Sequence, residues 1–148
     1  MYESFDEYIK TMEREKEYFP AHVYEFATDL NRHDLQSPHS LHDSWLTSLT
    51  IKENRNTARP FEPKPTIEIV LLGQMHDRDI LLEYSHIEWY EMLGFKNPYN
   101  WGDTYQGDVE AHEVRLENDA IIHEIAFVSE SKIVVACKDF TCSERMHA

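Results

Sequence analysis

Residues 121–140 read IIHEIAFVSESKIVVACKDF. Ile121, Ile125 and Phe127 fall on one parity, and Ile122, Ala126 and Val128 on the other. Successive side chains of a strand point to opposite faces, so both faces of this segment are apolar. Strands of that kind lie inside a sheet with both faces covered. Ser129, Glu130 and Ser131 interrupt the pattern. They predict a tight hairpin between a strand at Ile121–Val128 and one at Lys132–Phe140.

Working outward, Thr66–Gly73 (TIEIVLLG) and Asp79–Glu88 (DILLEYSHIE) form a second antiparallel pair, with Gln74–Arg78 as the turn. Asp108–Glu117 reads as a strand whose apolar parity slips between Ala111 and Val114, which predicts a bulge or an edge position. From Leu41, the alternation of Asp43, Trp45, Thr47, Leu49 and Ile51 with Leu46, Ser48 and Thr50 predicts a first strand. Lys52–Thr66 holds three prolines and the basic residues Lys52, Arg55, Arg59 and Lys64, and is expected to be a long polar loop. Glu91–Gly107 is expected to be a second irregular region, with Asn97-Pro98 and three glycines as breakers.

The first third reads as helix. Ser4 and Glu7 match a capping box. Phe5, Tyr8, Ile9, Met12 and Phe19 then recur at roughly helical spacing. Pro20 breaks that helix or starts the next, whose stripe is Val23, Phe26, Ala27 and Leu30. Two short antiparallel helices or one kinked helix both fit, with Asp34–Ser40 as a connector. The expected fold is α+β: a single domain over residues 1–148, helical in 1–33 and strand-rich in 41–144. Its N-terminal helices pack on a mainly antiparallel sheet of about five or six strands.

Charge restricts the partners. The chain has 28 Asp and Glu against 14 Lys and Arg, a net of −14. Nucleic acid and anionic membrane surfaces are repelled by such a chain. A basic protein is attracted over long range. Acidic surfaces also serve solubility alone. No run of about 18 apolar residues exists to span a membrane. The N-terminus lacks the basic start and apolar stretch of a secretory signal. Cys137 and Cys142 are five apart, so on one regular strand they point to opposite faces and do not pair. A reducing cytoplasm is the expected compartment.

Most catalytic signatures are missing. There is no G-x-G-x-x-G, no G-x-x-x-x-G-K-[ST] and no G-x-S-x-G. The two cysteines lack the spacing and companions of a structural zinc site. No cofactor and no metal is expected, and no residue is assigned as catalytic. Two His-Asp pairs, His42-Asp43 and His76-Asp77, resemble those of metal-dependent phosphohydrolases in the dipeptide alone. A small metal-dependent hydrolase built on them is one alternative reading, and a structural domain whose charge has no specific target is another. His76, Asp77 and Asp79 offer a divalent-metal site at a loop tip, and equally a solvated turn. His123 and Glu124 are adjacent on a strand, point to opposite faces and cannot act together.

The strongest constellation is electrostatic and aromatic. Between Asp79 and Glu124 lie eleven acids and two bases, Lys96 and Arg115. The same stretch contains Trp89, Tyr90, Phe95, Tyr99, Trp101 and Tyr105. Trp and Tyr anchor interfaces because they bury much area at low entropic cost. The candidate partner-binding set is Trp89, Tyr90, Glu91, Tyr99, Trp101, Asp103, Tyr105 and Asp108, facing a basic protein. The competing readings are a closed core beneath a long loop and a carbohydrate site of stacking rings.

The closing segment IIHEIAFVSESKIVVACKDFTCSE resembles the last hairpin of some small bacterial proteins, in which a HEI-x-F-S strand turns into a strand ending in KDF. LHDSWLTSLTI is similar to their HDS first strand, and IEIVLLGQMHDRDILLEYSHI to their central hairpin. These are fold-forming patterns spread over residues 41–144. Proteins of this appearance are regarded as immunity proteins of bacterial toxin systems. The resemblance implies a cytoplasmic inhibitor that binds a toxin domain, and an acidic chain suits a basic toxin. The N-terminal helices lie outside the likeness.

Overall fold

The computed structural model describes all residues from Met1 to Ala148. The fold is α+β. Helix α1 spans Phe5–Arg14. The Ser4 hydroxyl accepts the Glu7 backbone N–H at 3.1 Å, one half of the anticipated capping box. Asp6 and Glu7 in the first turn and Arg14 in the last suit the helix dipole. A 3-10 turn at Lys16–Tyr18 and then Pro20 separate it from α2, Ala21–Thr28. The helical third is therefore two short helices. They bury Tyr8 and Met12 from α1 and Val23, Phe26 and Ala27 from α2.

Six strands follow: β1 (Trp45–Asn56), β2 (Arg59–Leu72), β3 (Arg78–Leu93), β4 (Val109–Glu117), β5 (Ala120–Phe127) and β6 (Lys132–Met146). They form one sheet in the order β1-β2-β3-β6-β5-β4, and every neighbouring pair is antiparallel. Two three-stranded meanders are thus joined along β3 and β6. Their register runs from Arg78 opposite Met146 to Leu93 opposite Lys132. The hairpin at 121–140 supplies β5 and β6, both interior strands, as its two-sided apolar pattern requires. One face carries the main core, where Phe26 meets Phe140 edge-on at 5.5 Å. The other carries a small cluster of Ala120, Ile122, Val134 and Ala136. β4 lies at an edge of the sheet, one of the two positions its slipped pattern suggested, and its register shift falls between Val109 and Ala111, ahead of the expected Ala111–Val114.

The structure corrects three expectations. Lys52–Thr66 is not a loop: β1 and β2 run through it as a hairpin that turns at Thr57-Ala58. Every residue from Ile51 to Glu62 is exposed, so no buried face imposes a period of two. β2 pairs with β3 only as far as Ile67 opposite Tyr84. Pro65 and Pro63 lie just beyond and offer no N–H to a neighbouring strand. The hairpin therefore leaves the sheet as a two-stranded arm. Second, β3 continues to Leu93, so the irregular segment begins at Gly94 rather than Glu91. Third, Cys137 and Cys142 lean to the same side. Ile133, Val135 and Cys137 face the main core, but so do Phe140 and Cys142, because the parity of β6 shifts between Cys137 and Phe140. Both are free thiols, and burial raises their pKa to about 12 and about 11.

The connector between α2 and β1 is held by ion pairs. Glu144 of β6 accepts from Arg32, Arg78 and His39, each at 2.8 Å. Burial opposes its ionisation, but the hydrogen bonds from Arg78 and His39 prevail and hold its carboxyl below the usual range. No helix is long and apolar enough to cross a membrane.

Candidate functional site

The connection from β3 to β4 must cross the ends of β6 and β5, three strand spacings or about 14 Å. Residues 94–108 do this as a tied loop. At its start, the Phe95 N–H donates to the Ser131 hydroxyl at 2.8 Å. At its end, the Ser129 hydroxyl donates to the Gln106 carbonyl at 2.5 Å, and Val128 N–H to the Asp108 carbonyl at 2.9 Å. Asn97 is fully buried in the middle. Its N–H donates to the Tyr105 carbonyl at 2.7 Å, and its side-chain oxygen accepts Tyr99 N–H at 3.0 Å. Its amide nitrogen donates to Asn100 and, at 3.3 Å, to the Thr104 carbonyl. Gly107 closes the loop at φ +84°, where an added Cβ would lie 2.6 Å from Val128 Cγ2. Only glycine fits there.

This ordered loop turns its rings outward. Tyr99 is 80% exposed, Trp101 59% and Tyr105 56%. Lys96 Nζ lies 4.1 Å from the Trp101 ring centroid, a cation–π contact that leaves most of the indole free. On the adjoining end of β3, Trp89, Tyr90, Met92 and Leu93 are also exposed. Trp89 stands opposite Ala136 on the face away from the helices, and Tyr90 opposite Val135 on the other. The expectation that these aromatics close the core is therefore not met.

The carboxylates divide into free and engaged groups. Asp103 is exposed on the loop. Glu91 pairs with Lys132 at 3.2 Å and Glu88 with Lys138 at 3.7 Å, all four side chains being accessible. Asp108 is half-buried and accepts the Trp45 indole N–H at 2.6 Å, which fixes the base of the loop. The acidic run from Asp79 to Glu124 does not form one surface. Asp79 binds Arg145 and His147 at the opposite end of β3, and Arg115 draws together Glu113, Glu117 and Glu124.

Each His-Asp pair makes local contacts of its own. His42 Nδ1 donates to the Glu110 carbonyl at 2.9 Å, and its Nε2 lies 3.3 Å from Asp43. His76 packs on Trp45 at 4.5 Å, while Asp77 binds Arg78 at 3.0 Å. No group of three or more His, Cys, Asp or Glu is placed to hold a metal ion. His123 and Glu124 part to opposite faces, as the strand geometry demands.

Sequence reasoning missed a buried polar chain beneath the helices. His112 Nε2 lies 3.0 Å from the Arg32 carbonyl, which can only accept, so Nε2 carries the proton and Nδ1 is an acceptor. His123 Nε2 therefore donates to His112 Nδ1, at 3.1 Å. His123 Nδ1 in turn accepts the Tyr84 hydroxyl at 2.6 Å. His33 stacks on His112 at 4.2 Å and donates to the Ala27 carbonyl. Burial depresses the pKa of all three histidines, that of His123 to about 3, and raises that of Tyr84. Every ring nitrogen of His112 and His123 is satisfied, so the chain is a neutral clamp between sheet and helices. Its only sequence signal, His112 and His123 on neighbouring strands, requires the β4–β5 register.

Comparison with family models, curated proteins and solved structures finds no match to this chain.

Proposed function

We propose that the chain is a non-enzymatic, acidic protein-binding module of immunity type, an inhibitor that docks on a basic toxin domain. The observation that carries this reading is the display of Tyr99, Trp101 and Tyr105 on a loop tied down by Asn97, Ser129 and Ser131. Exposing large rings from a rigid frame costs solvation but little further entropy on binding, which is how interface anchors work. Trp89, Tyr90 and Leu93 extend the apolar area along β3, Asp103 adds an exposed carboxylate, and Glu88 and Glu91 border it in accessible pairs with Lys138 and Lys132. The net charge of −14 adds long-range attraction for a basic partner. Two free thiols, one buried and one half-buried, suit a reducing cytoplasm as the site of action.

The test is affinity capture on the immobilised chain from the source cell and neighbouring strains, followed by titration with the purified basic protein recovered. Trp101→Ala is expected to weaken that complex by about 2 kcal/mol or more, and association is expected to slow as salt rises. Recovery of no basic protein, or of one that binds Trp101→Ala as tightly as the parent, removes the reading.

A further inference from the structure

The β1–β2 arm has no packing of its own. Beyond Lys52 opposite Thr66, β1 runs on through Glu53–Asn56 and β2 through Arg59–Pro65, a reach of roughly 14 Å along β1, with Phe61 73% exposed near the tip. A two-stranded hairpin standing alone in water is marginal, so a surface that covers it would stabilise it. Its charge differs from that of the rest of the chain. Residues 52–66 hold four of the 14 Lys and Arg and two of the 28 Asp and Glu, so the arm is +2 on a chain otherwise −16.

The departure of the arm leaves a second feature uncovered. From Ser85 to Leu93, β3 pairs with β6 on one side and has no strand on the other. That free edge bears the exposed Trp89 and Tyr90, with Glu88 and Glu91 in accessible pairs with Lys138 and Lys132 of β6 that an incoming arginine could displace. Edges of this kind are templates for another segment of chain. A cleft of about 320 Å³ lies across the sheet at the root of the arm, lined from β1 to β6 by Lys52, Thr66, Tyr84, Ser85 and Asp139 among others.

We propose that the arm is a self-association element: the arm of one copy lies on the free β3 edge and aromatic loop of a second copy, and reciprocally, in a two-fold dimer. Charge and apolar character match on both sides, with Arg55, Arg59 and Phe61 meeting Glu88, Glu91, Trp89 and Trp101. Arm and edge share one root at Ile67 and Tyr84, so a single two-fold axis satisfies both contacts at once. Edge-on-edge pairing without the arms would instead set Glu88 and Glu91 against their own copies. The proposal rests on the docking surface assigned under Proposed function, and it makes the second copy's arm a competitor of the basic partner.

Sedimentation velocity of the full chain from about 1 to about 100 µM, at about 0.05 M and about 0.5 M salt, tests this. The expected result is a dimer at low salt that dissociates as salt rises. The double variant Arg55→Glu/Arg59→Glu, and separately Phe61→Ser and Trp101→Ala, should each weaken it about tenfold or more. These side chains are exposed, and an unchanged far-ultraviolet circular dichroism spectrum confirms the fold. A parent chain that stays monomeric at the highest concentration in low salt overturns the proposal. So does a dimer whose affinity is the same in all three variants. A monomer that still captures a basic protein removes the dimer and leaves the protein-binding function standing. A salt-sensitive dimer that captures nothing does the reverse.

Discussion

The two ends of the sheet invert the usual rule in opposite ways. Under the helices, polar rings are buried: Tyr84, His112 and His123 form a hydrogen-bonded chain ending on the Arg32 carbonyl. At the far end of β3, apolar rings are exposed: Tyr99, Trp101 and Tyr105 on the loop, with Trp89 and Tyr90 beside it. The buried groups are fully partnered inside the molecule, so their cost is offset locally and their role is structural. The exposed rings have no such partner, although the loop that carries them is firmly tied. Satisfaction, rather than residue type, separates architecture from site.

The largest expected effect is acid sensitivity of the buried end. His33, His112 and His123 are held neutral in the fold, whereas the unfolded chain protonates them near pH 6.5. Below that pH the unfolded state binds more protons, so stability falls as pH falls. His123, with a folded pKa of about 3, contributes a loss of about 1.4 kcal/mol per pH unit between 6.5 and 3. From pH 7 to 4.5 this one residue costs on the order of 3 kcal/mol, and His112 adds to it. Urea unfolding across that range measures the slope. A flat profile would mean that the histidines are not held neutral.

Tyr84→Phe leaves His123 Nδ1 buried without its donor. It is expected to cost about 1–3 kcal/mol in the same assay. No loss would show that the hydroxyl is not anchoring the chain. Gly107→Ala forces a side chain into a positive-φ site already filled by Val128, and should cost about 1–2 kcal/mol. Unchanged stability would mean that the loop base shifts freely and that its rings are not rigidly presented. The smallest effect is expected at the exposed end: Trp101→Ala should change stability by no more than about 0.5 kcal/mol.

Much of the architecture was legible where burial imposes a pattern. The segment 121–140 announced two interior strands because both its faces are apolar. Thr66–Gly73 and Asp79–Glu88 announced a hairpin because one side of each is buried. The arm was not legible, since residues 51–62 are exposed on both faces and carry no period. The end of β3 was hidden for a related reason: WYEML (89–93) is aromatic and aliphatic on both parities but stays in water. The cysteine geometry failed because a parity shift inside β6 cannot be seen from spacing. Of the candidate site, the residue types and their neighbourhood were readable, but not their exposure, nor that Asp108 is committed to Trp45. The histidine chain depends on cross-strand register, which sequence spacing does not specify.

The most direct test of the contrast is a paired measurement on the triple variant Tyr99→Ala/Trp101→Ala/Tyr105→Ala. Its unfolding free energy in urea is set beside its affinity for the basic protein that the parent chain captures. Free rings predict a stability within about 1 kcal/mol of the parent and an affinity reduced by about a hundredfold or more. A loss of stability of about 3 kcal/mol or more with the affinity intact would place these rings in the packing and contradict their assignment as a docking surface.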